Sequence, residues 1–491
     1  MPGPASAAYP PRWTIMTTPE QNGSQKCDFI PRGRIRRTMP LAGFTARAAT
    51  ARLVAGARER AGDAGALERF HERTAEHYAD LLGHSKGALM KAGQFFSMID
   101  VDALGNGGFS RYQKVLSRLQ TDAPPMTPTL VHAVLHTEFQ RPAHELFATF
   151  DDAPMAAASI GQVHRALMHD GRDVIVKVQY PGADEAIRGD LANAELLATF
   201  LRFLTAASGM KADVRTMARE ATARLTEELD YRHEADMITR FSELYRDHPF
   251  IRIPEVVPEL SSDRVLTMTH IDGIDWAAAQ LADQDLKNTW AEVIHRFSYA
   301  NYRHSNLMHA DPHPGNYRFR ADGTLGFVDF GCVRILPEHI RRGWIAMGRA
   351  AIEGRKNDLR AVMTELGFLD ADPTLTADDL YHWFSQMLYE VLAPEQPVTY
   401  NQATTDRALR NLFDTRNHTG VLARLSVPEE LTMTSRVIFA VNAISGSLNA
   451  TLHARAAAND IDSVAEPVTE FGKAHHAWVR ARGLPTALEP Q

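Results

Sequence analysis

Cysteine is nearly absent: the 491 residues contain only Cys27 and Cys332, far apart in the chain. That excludes a disulfide framework and a cysteine-rich zinc site, and it fits a reducing interior. Long apolar runs are also missing. A membrane-spanning helix needs about 20 consecutive apolar residues, and the best run, Val437 to Leu448, is interrupted by Asn442 and Ser445. The N-terminus carries prolines and polar residues without a compact apolar core, so no secretory signal is expected. Positive charge is not in excess. A formal charge of -7 argues against nucleic acid as a partner, because a phosphate backbone attracts a basic surface. These absences lead to the expectation of a cytoplasmic protein, with peripheral membrane contact left open. What is present, 44% hydrophobic and 23% charged residues, suffices for a sizeable core and more than one lobe.

The pattern divides the chain into five segments. Residues 1–40, rich in Pro, Gly, Ser and Thr, read as a flexible arm made basic at its end by Arg32, Arg34, Arg36 and Arg37. Residues 41–143 read as a helical extension: an Ala/Arg-rich helix from Leu41 to Arg60, helical patterning from Leu67 to Ile99, and a helix from Thr127 to Phe139. The first helix and the arm are candidates for contact with anionic lipid, against the plainer reading of a solvated helix face. Over 144–270 the period changes to strands at Leu146–Asp151, Gln162–Met168 and Val174–Tyr180. The last two are joined by His169-Asp170-Gly171-Arg172, and Asp-Gly between strand patterns signals a hairpin. Helices at Asp184–Leu204 and Val214–Phe241 and a strand at Arg264–Thr269 complete that segment. Residues 271–369 and 370–491 read as mostly helical apart from one small hairpin at 316–328. The order predicts an α+β, two-lobed protein-kinase-like fold with extra helices before and after.

The chemistry concentrates in His309-Ala310-Asp311-Pro312-His313-Pro314-Gly315-Asn316 and, after the small hairpin, Asp329-Phe330-Gly331. Phosphoryl transfer needs a carboxylate to orient the acceptor and oxygen ligands for magnesium on the phosphates. Asp311 supplies the first; Asn316 and Asp329 supply the second. A zinc reading of His304, His309 and His313 is rejected, since Pro312 and Pro314 oppose a regular helix through the trio. In Val174-Ile175-Val176-Lys177-Val178, side chains alternate, so Lys177 shares a face with Ile175 and Gln179. A buried lysine requires a partner, here a nucleotide phosphate and a carboxylate of the acidic helix Glu227 to Glu234. In that helix Asp230 and Glu234 are expected to share a face and repel. Where a phosphate-cradling loop would lie, the chain reads Ala156-Ala157-Ala158-Ser159-Ile160-Gly161-Gln162. Small side chains allow close approach to phosphates, with a shape different from a glycine loop.

Together these motifs resemble the UbiB (AarF, ADCK) family of atypical kinases over about residues 65–350. Lys91-Ala92-Gly93-Gln94 is similar to the family's KxGQ signature, Ala156 to His164 to its Ala-rich loop, and Glu228-Leu229-Asp230 to its ExD motif. The resemblance implies that ATP or ADP and Mg²⁺ are the cofactors and that Lys91 and Gln94 lie across the substrate site, restraining phosphotransfer with Glu228 and Asp230. It further implies Glu234 as the ion-pair partner of Lys177, and Met268 to Gly273, with Met268 and His270, as the hinge touching adenine. Family members support isoprenoid-quinone synthesis or other lipid processes, which makes a lipid or quinone-precursor molecule the expected partner. The chain departs from UbiB itself in lacking C-terminal membrane spans. A small-molecule phosphotransferase of the aminoglycoside or choline kind and a nucleotide-sensing scaffold are the alternative readings. The KxGQ helix and Ala-rich loop weigh against the former, and intact Lys177, Asp311, Asn316 and Asp329 against the latter.

Overall fold

The computed structural model describes residues 126–158, 160–182, 229–369, 375–401, 424–431 and 433–486, with scattered positions in 51–76 and at 403 and 421. Lys91, Gln94, Ser159, Glu228, the basic arm and the expected helices at Leu67–Ile99 (apart from its first turns) and Asp184–Leu204 lie outside the described residues, and of the helix expected over Val214–Phe241 only the end from Leu229 is described. Residues 54–60 are helical, as expected for the end of the Ala/Arg-rich segment.

The smaller lobe is an antiparallel sheet with one helix pair behind it. Helix α1 (Pro128–Phe139) begins on a proline, tolerated in the first turn because its missing N–H would have no intrahelical partner. A single helical turn, α2 (Ala143–Leu146), follows Pro142. The strand expected over Leu146–Asp151 is therefore shorter, β1 (Thr149–Phe150): Phe147 donates its N–H back to Ala143 and closes the turn first. Strands β2 (Ala156–Ala158), β3 (Gly161–Leu167) and β4 (Asp173–Gln179) come next. The Asp-Gly hairpin is present between β3 and β4. Asp170 accepts the N–H of Arg172, and Gly171 takes the positive φ of +88° that glycine adopts without strain. The Ala-rich segment is not an open loop. Ala156, Ala157 and Ala158 pair with Val163, Gln162 and Gly161 across a tight turn. Gly161 is required there, since a Cβ would lie 2.1 Å from the carbonyl oxygen of Val178.

Beyond the undescribed segment, helix α3 (Tyr231–Leu244) starts with Asp230 as its N-cap, its carboxylate accepting the N–H of His233. This corrects the expected continuous acidic helix: Asp230 is a cap, not a body residue repelling Glu234 across one face. Strand β5 (Ile251–Arg252) and β6 (Val265–Thr269) follow, the latter closing the order β1-β3-β4-β6, with β2 on the side of β3. Val174, Val176 and Val178 on one face of β4 pack with Val131, Leu135, Leu146 and Leu260. The opposite face, with Ile175 and Lys177, turns toward the larger lobe.

That lobe is organised on α5 (Gln284–His304), which follows the short α4 (Trp276–Gln280) and buries Trp290, Ile294 and Phe297. Around it come β7 (Leu307–His309), β8 (Tyr317–Phe319), β9 (Leu325–Phe327) and β10 (Val333–Ile335). Helices α6 (Glu338–Ile352), α7 (Lys356–Glu365), α8 (Ala377–Ser385) and α9 (Tyr389–Leu392) follow. The chain then runs through β11 (Val398–Thr399), α10 (Thr434–Ser447), β12 (Thr451–Leu452), α11 (Ala454–Ile461) and α12 (Glu470–Arg482). The expected hairpin at 316–328 is β8–β9, with β5 added in parallel. The pairs β7–β10 and β11–β12 were not expected. Strands of two or three residues are too short to display a period of two. Among the described residues no helix is long and apolar enough to cross a membrane.

The C-terminal helices are bound to α5 by charge as well as by packing. Arg296, fully buried, donates to both oxygens of Asp460 at 2.7 and 2.8 Å, and Arg303 pairs with Asp462. Three imidazoles add a second tie. His304 Nδ1 lies 2.7 Å from the carbonyl oxygen of Pro485, which can only accept, so this nitrogen carries the proton. The remaining contacts then run in one sense: His475 Nε2 donates to His304 Nε2 (3.1 Å), and His248 Nε2 donates to His475 Nδ1 (3.0 Å). His248 Nδ1 accepts the N–H groups of Phe250 and Ile251. Every imidazole is satisfied in its neutral form. Burial lowers all three pKa values, that of His304 to about 4.

Two outcomes follow. Asp460→Ala removes the bidentate partner of the buried Arg296 guanidinium, which keeps Glu292 as a charged partner at 2.9 Å, and should cost about 1–3 kcal/mol in urea unfolding. Histidines that are neutral when folded and near pKa 6.5 when unfolded take up protons preferentially in the unfolded state below that pH. Stability should therefore be complete above about pH 6.5 and fall as the pH drops toward about 4. The fall should be shallower in His475→Phe.

Candidate active site

Between the lobes lies a cavity of about 310 Å³ whose walls include Ala156, Ile160, Lys177, Glu234, Met268, His270, Asp311, Asn316 and Asp329. Several elements distant in sequence supply them. Lys177 stands mid-strand on β4, paired with Val163 and Leu266, and is 9% exposed. Glu234, 5% exposed, sits in the first turn of α3, oriented by the Asp230 cap. Lys177 Nζ donates to Glu234 Oε1 at 2.5 Å and to Asp329 Oδ2 at 3.2 Å. Residues 57 and 152 positions away thus converge on one ammonium.

The segment bearing Asp329 is fixed from several sides. Its Oδ1 accepts the N–H of Gly331, and its carbonyl accepts from His309 Nε2 at 2.9 Å. Phe330 packs 4.9 Å from the ring of Phe241 on α3, and its N–H points at Glu234. On the facing loop His313 Nδ1 accepts the N–H of Gly315, and the carbonyl of Asn316 accepts the N–H of Val328. The loop that carries Asp311 and Asn316 is thereby tied to the strand leading into Asp329.

Burial opposes the charge on Lys177, but Asp329 and Glu234 outweigh it and hold the ammonium protonated beyond the ordinary lysine range. Burial likewise opposes charge on Asp329, yet Lys177 and the Gly331 N–H bring its carboxyl below the usual value. For Glu234 burial prevails over Lys177 and its pKa rises. Of the two carboxylates on Lys177, Asp329 is thus the more readily ionised. It is the one placed to hold a cation.

The oxygen donors fit magnesium. Asp329 and Asn316, with Asp311 nearby in the same cavity, offer hard oxygen ligands, the set Mg²⁺ takes when phosphates and water complete its octahedron. No group of three His, Cys, Asp or Glu side chains among the described residues could hold a metal unaided, so His304, His309 and His313 form no zinc site. They lie in the imidazole chain, against Asp329, and as a turn cap respectively.

Two expectations need correction. Gln162 faces away from the cavity: fully buried, it accepts the N–H of Met126 at 2.7 Å and contacts His164 Nε2 at 2.8 Å. Strand alternation sends it to the sheet's other side, with Val178. Gly161 acts by permitting the hairpin's close approach rather than by lining the cavity. Ala157 and Ala158 contribute backbone pairing. Sequence reading missed Tyr231, Arg318 and Cys332 on the cavity wall, whereas Thr269 belongs to the expected hinge. Arg318 was discoverable, since it alternates with Tyr317 and Phe319, both core residues.

Glu234→Gln should lower stability by about 1–3 kcal/mol, because Lys177 keeps only Asp329 as a charged partner. Lys177→Met, which removes the buried cation and lets Glu234 protonate, should cost less in the same thermal-denaturation series. A reversed order would remove the ion pair from its structural role.

Comparison with known proteins agrees with this arrangement. The family model described as the ABC1 atypical kinase-like domain matches residues 118–363. Atypical kinase COQ8B, mitochondrial, of Rattus norvegicus is 30% identical over 345 residues, 70% of this chain and 63% of the relative. Atypical kinase COQ8, mitochondrial, of Saccharomyces cerevisiae is 34% identical over 254 residues, 52% of this chain and 49% of the relative. The chain thus spans about half to just under two thirds of these relatives. The structure of Rv3197 from Mycobacterium tuberculosis, solved in complex with erythromycin, is similar with a TM-score of 0.58 at 29% identity, over 82% of this chain and 98% of that one. With its kinase-like lobes, its converging Lys177, Glu234 and Asp329, and a family match over half its length, the chain belongs to the ABC1 (UbiB/AarF/ADCK) family of atypical, protein-kinase-like kinases.

Proposed function

We propose that the chain is a Mg²⁺-dependent, ATP-binding atypical kinase or ATPase of the COQ8/UbiB type that supports isoprenoid-quinone or other lipid metabolism. The observation that carries this reading is the ammonium of Lys177 held between Glu234 and Asp329 on a cavity wall shared with Asp311 and Asn316. Lys177 binds the nucleotide phosphates and fixes their position. The strand ending at Thr269, with His270 and Ile271, borders the purine. Among the described residues the N–H of Ile271 donates to no backbone carbonyl, which makes it available to a base. Asp329 and Asn316 would hold the magnesium, which neutralises phosphate charge when bound. Asp311 orients the acceptor hydroxyl or water and accepts its proton.

The lipid side of the proposal rests on the COQ8 relatives and on Arg32, Arg34, Arg36 and Arg37, a basic segment suited to anionic head groups. Within it, Lys91 and Gln94 restrain access to the site together with Glu228 and Asp230.

ATP hydrolysis by the purified chain with Mg²⁺ should be measurable, should rise with anionic liposomes, and should fall at least about a hundredfold in Asp329→Asn and in Asp311→Asn. Absence of both turnover and nucleotide binding in the wild type would overturn the proposal.

A further inference from the structure

Arg318 is a cation on the cavity wall that no step described above uses. On β8 its neighbours Tyr317 and Phe319 are buried in the core, so alternation turns Arg318 to the opposite side, where it lines the cavity with His270, Ile271, Gly315 and Asn316. The position is built for a large side chain. Its cross-strand partner is Gly326, where a Cβ would sit 3.3 Å from the Arg318 Cβ. On the other side is Gly273, where a Cβ would lie 2.9 Å from the same atom. Glycine on both flanks leaves room for the arginine stem.

The guanidinium is held in place by carbonyls. Its Nη1 donates to Tyr317 at 2.9 Å and to Gly315 at 3.2 Å, the latter in the loop that carries Asn316. Neither acceptor bears a charge. Arg318 makes no ion pair among the described residues. The carboxylate that acts on it is Asp275, which is engaged in capping α4 through the N–H of Ala278. Burial correspondingly lowers the Arg318 pKa. A partly desolvated cation without a counter-ion is costly, and a ligand offering a π face or negative charge would offset that cost. The flanks decide between the two. Gly273 belongs to the hinge segment, and Gly326 lies against the side chain of Ile271, whereas the phosphate end of the cavity is marked by Lys177 and Asp329.

We infer that the Arg318 guanidinium forms one face of the base-binding slot and stacks on the purine ring of the bound nucleotide, making it a specificity-determining residue. This inference rests on the ATP-binding reading given above. The planar, delocalised cation lies against the electron-rich ring, an interaction that a leucine or other apolar floor supplies only by contact. It favours the larger π surface of a purine over a pyrimidine.

The test is titration of the whole chain, without Mg²⁺, with ATP, CTP and adenosine, comparing wild type, Arg318→Leu and Arg318→Lys. Thermal melting verifies that each variant is folded. In Arg318→Leu, ATP and adenosine should weaken by a common factor of roughly three to thirty, and the preference for ATP over CTP should narrow. Arg318→Lys should recover only part of the loss, since an ammonium has no planar face. Unchanged adenosine affinity in folded Arg318→Leu would overturn the inference. So would a loss confined to ATP, which would assign the guanidinium to phosphate. Wild-type protein that binds neither ATP nor adenosine would instead overturn the ATP-binding reading beneath it.

Discussion

A single ammonium holds the two lobes in register. Lys177 is fixed on the central strand of the smaller lobe, and its nearest anions come from helix α3 and from the segment after β9. Neither carboxylate is near it in sequence, so the pair exists only when strand, helix and larger lobe are docked together. A lysine this buried is not tolerated alone. Its partners therefore constrain the placement of everything attached to them. Glu234 ties down the first turn of α3, which the Asp230 cap orients, and Asp329 ties down the end of the β8–β9 hairpin. The hydrophobic cluster of Phe241, Phe297, Phe327 and Phe330 fills the space behind that charge. Apolar packing thus shields the ion pair from water while the ion pair fixes which way the packed elements face.

The same physics recurs away from the cleft. The C-terminal helices are joined to α5 by the Arg296–Asp460 and Arg303–Asp462 pairs and by the His248–His475–His304 chain. Buried polar groups of this kind are tolerated only when each donor meets an acceptor. The helices α11 and α12 therefore dock in a defined orientation on the helix that precedes β7, the strand leading to Asp311. The same helix, α5, leads into β7 and the loop that carries Asp311.

Legibility in the sequence followed the range of the interactions. The hairpin between β3 and β4, the lysine strand, the catalytic loop and Asp-Phe-Gly were readable because each is a local pattern of turn residues, alternation or fixed spacing. So was Glu234 as the Lys177 partner, through the family resemblance. The short strands β7, β10, β11 and β12 were not, because two or three residues leave no periodicity to detect. Asp230 was read as part of a helix because a capping aspartate and a helical one look alike beside an acidic run. Gln162 was assigned to the nucleotide from its place in a motif, whereas strand parity sends it to the other face.

The sequence by itself determined the two-lobed kinase-like class and the identities of Lys177, Asp311, Asn316 and Asp329, since spacing along the chain and side-chain chemistry are local properties. Only the tertiary structure decided that Lys177 engages Glu234 and Asp329 together, that Gln162 faces the core, that Arg318 enters the cleft with no ion pair among the described residues, and that the C-terminal helices are tied to α5 by buried charge. Each of these depends on which face an element presents to a neighbour far away in sequence. That is settled by the joint packing of the lobes, which no local pattern encodes.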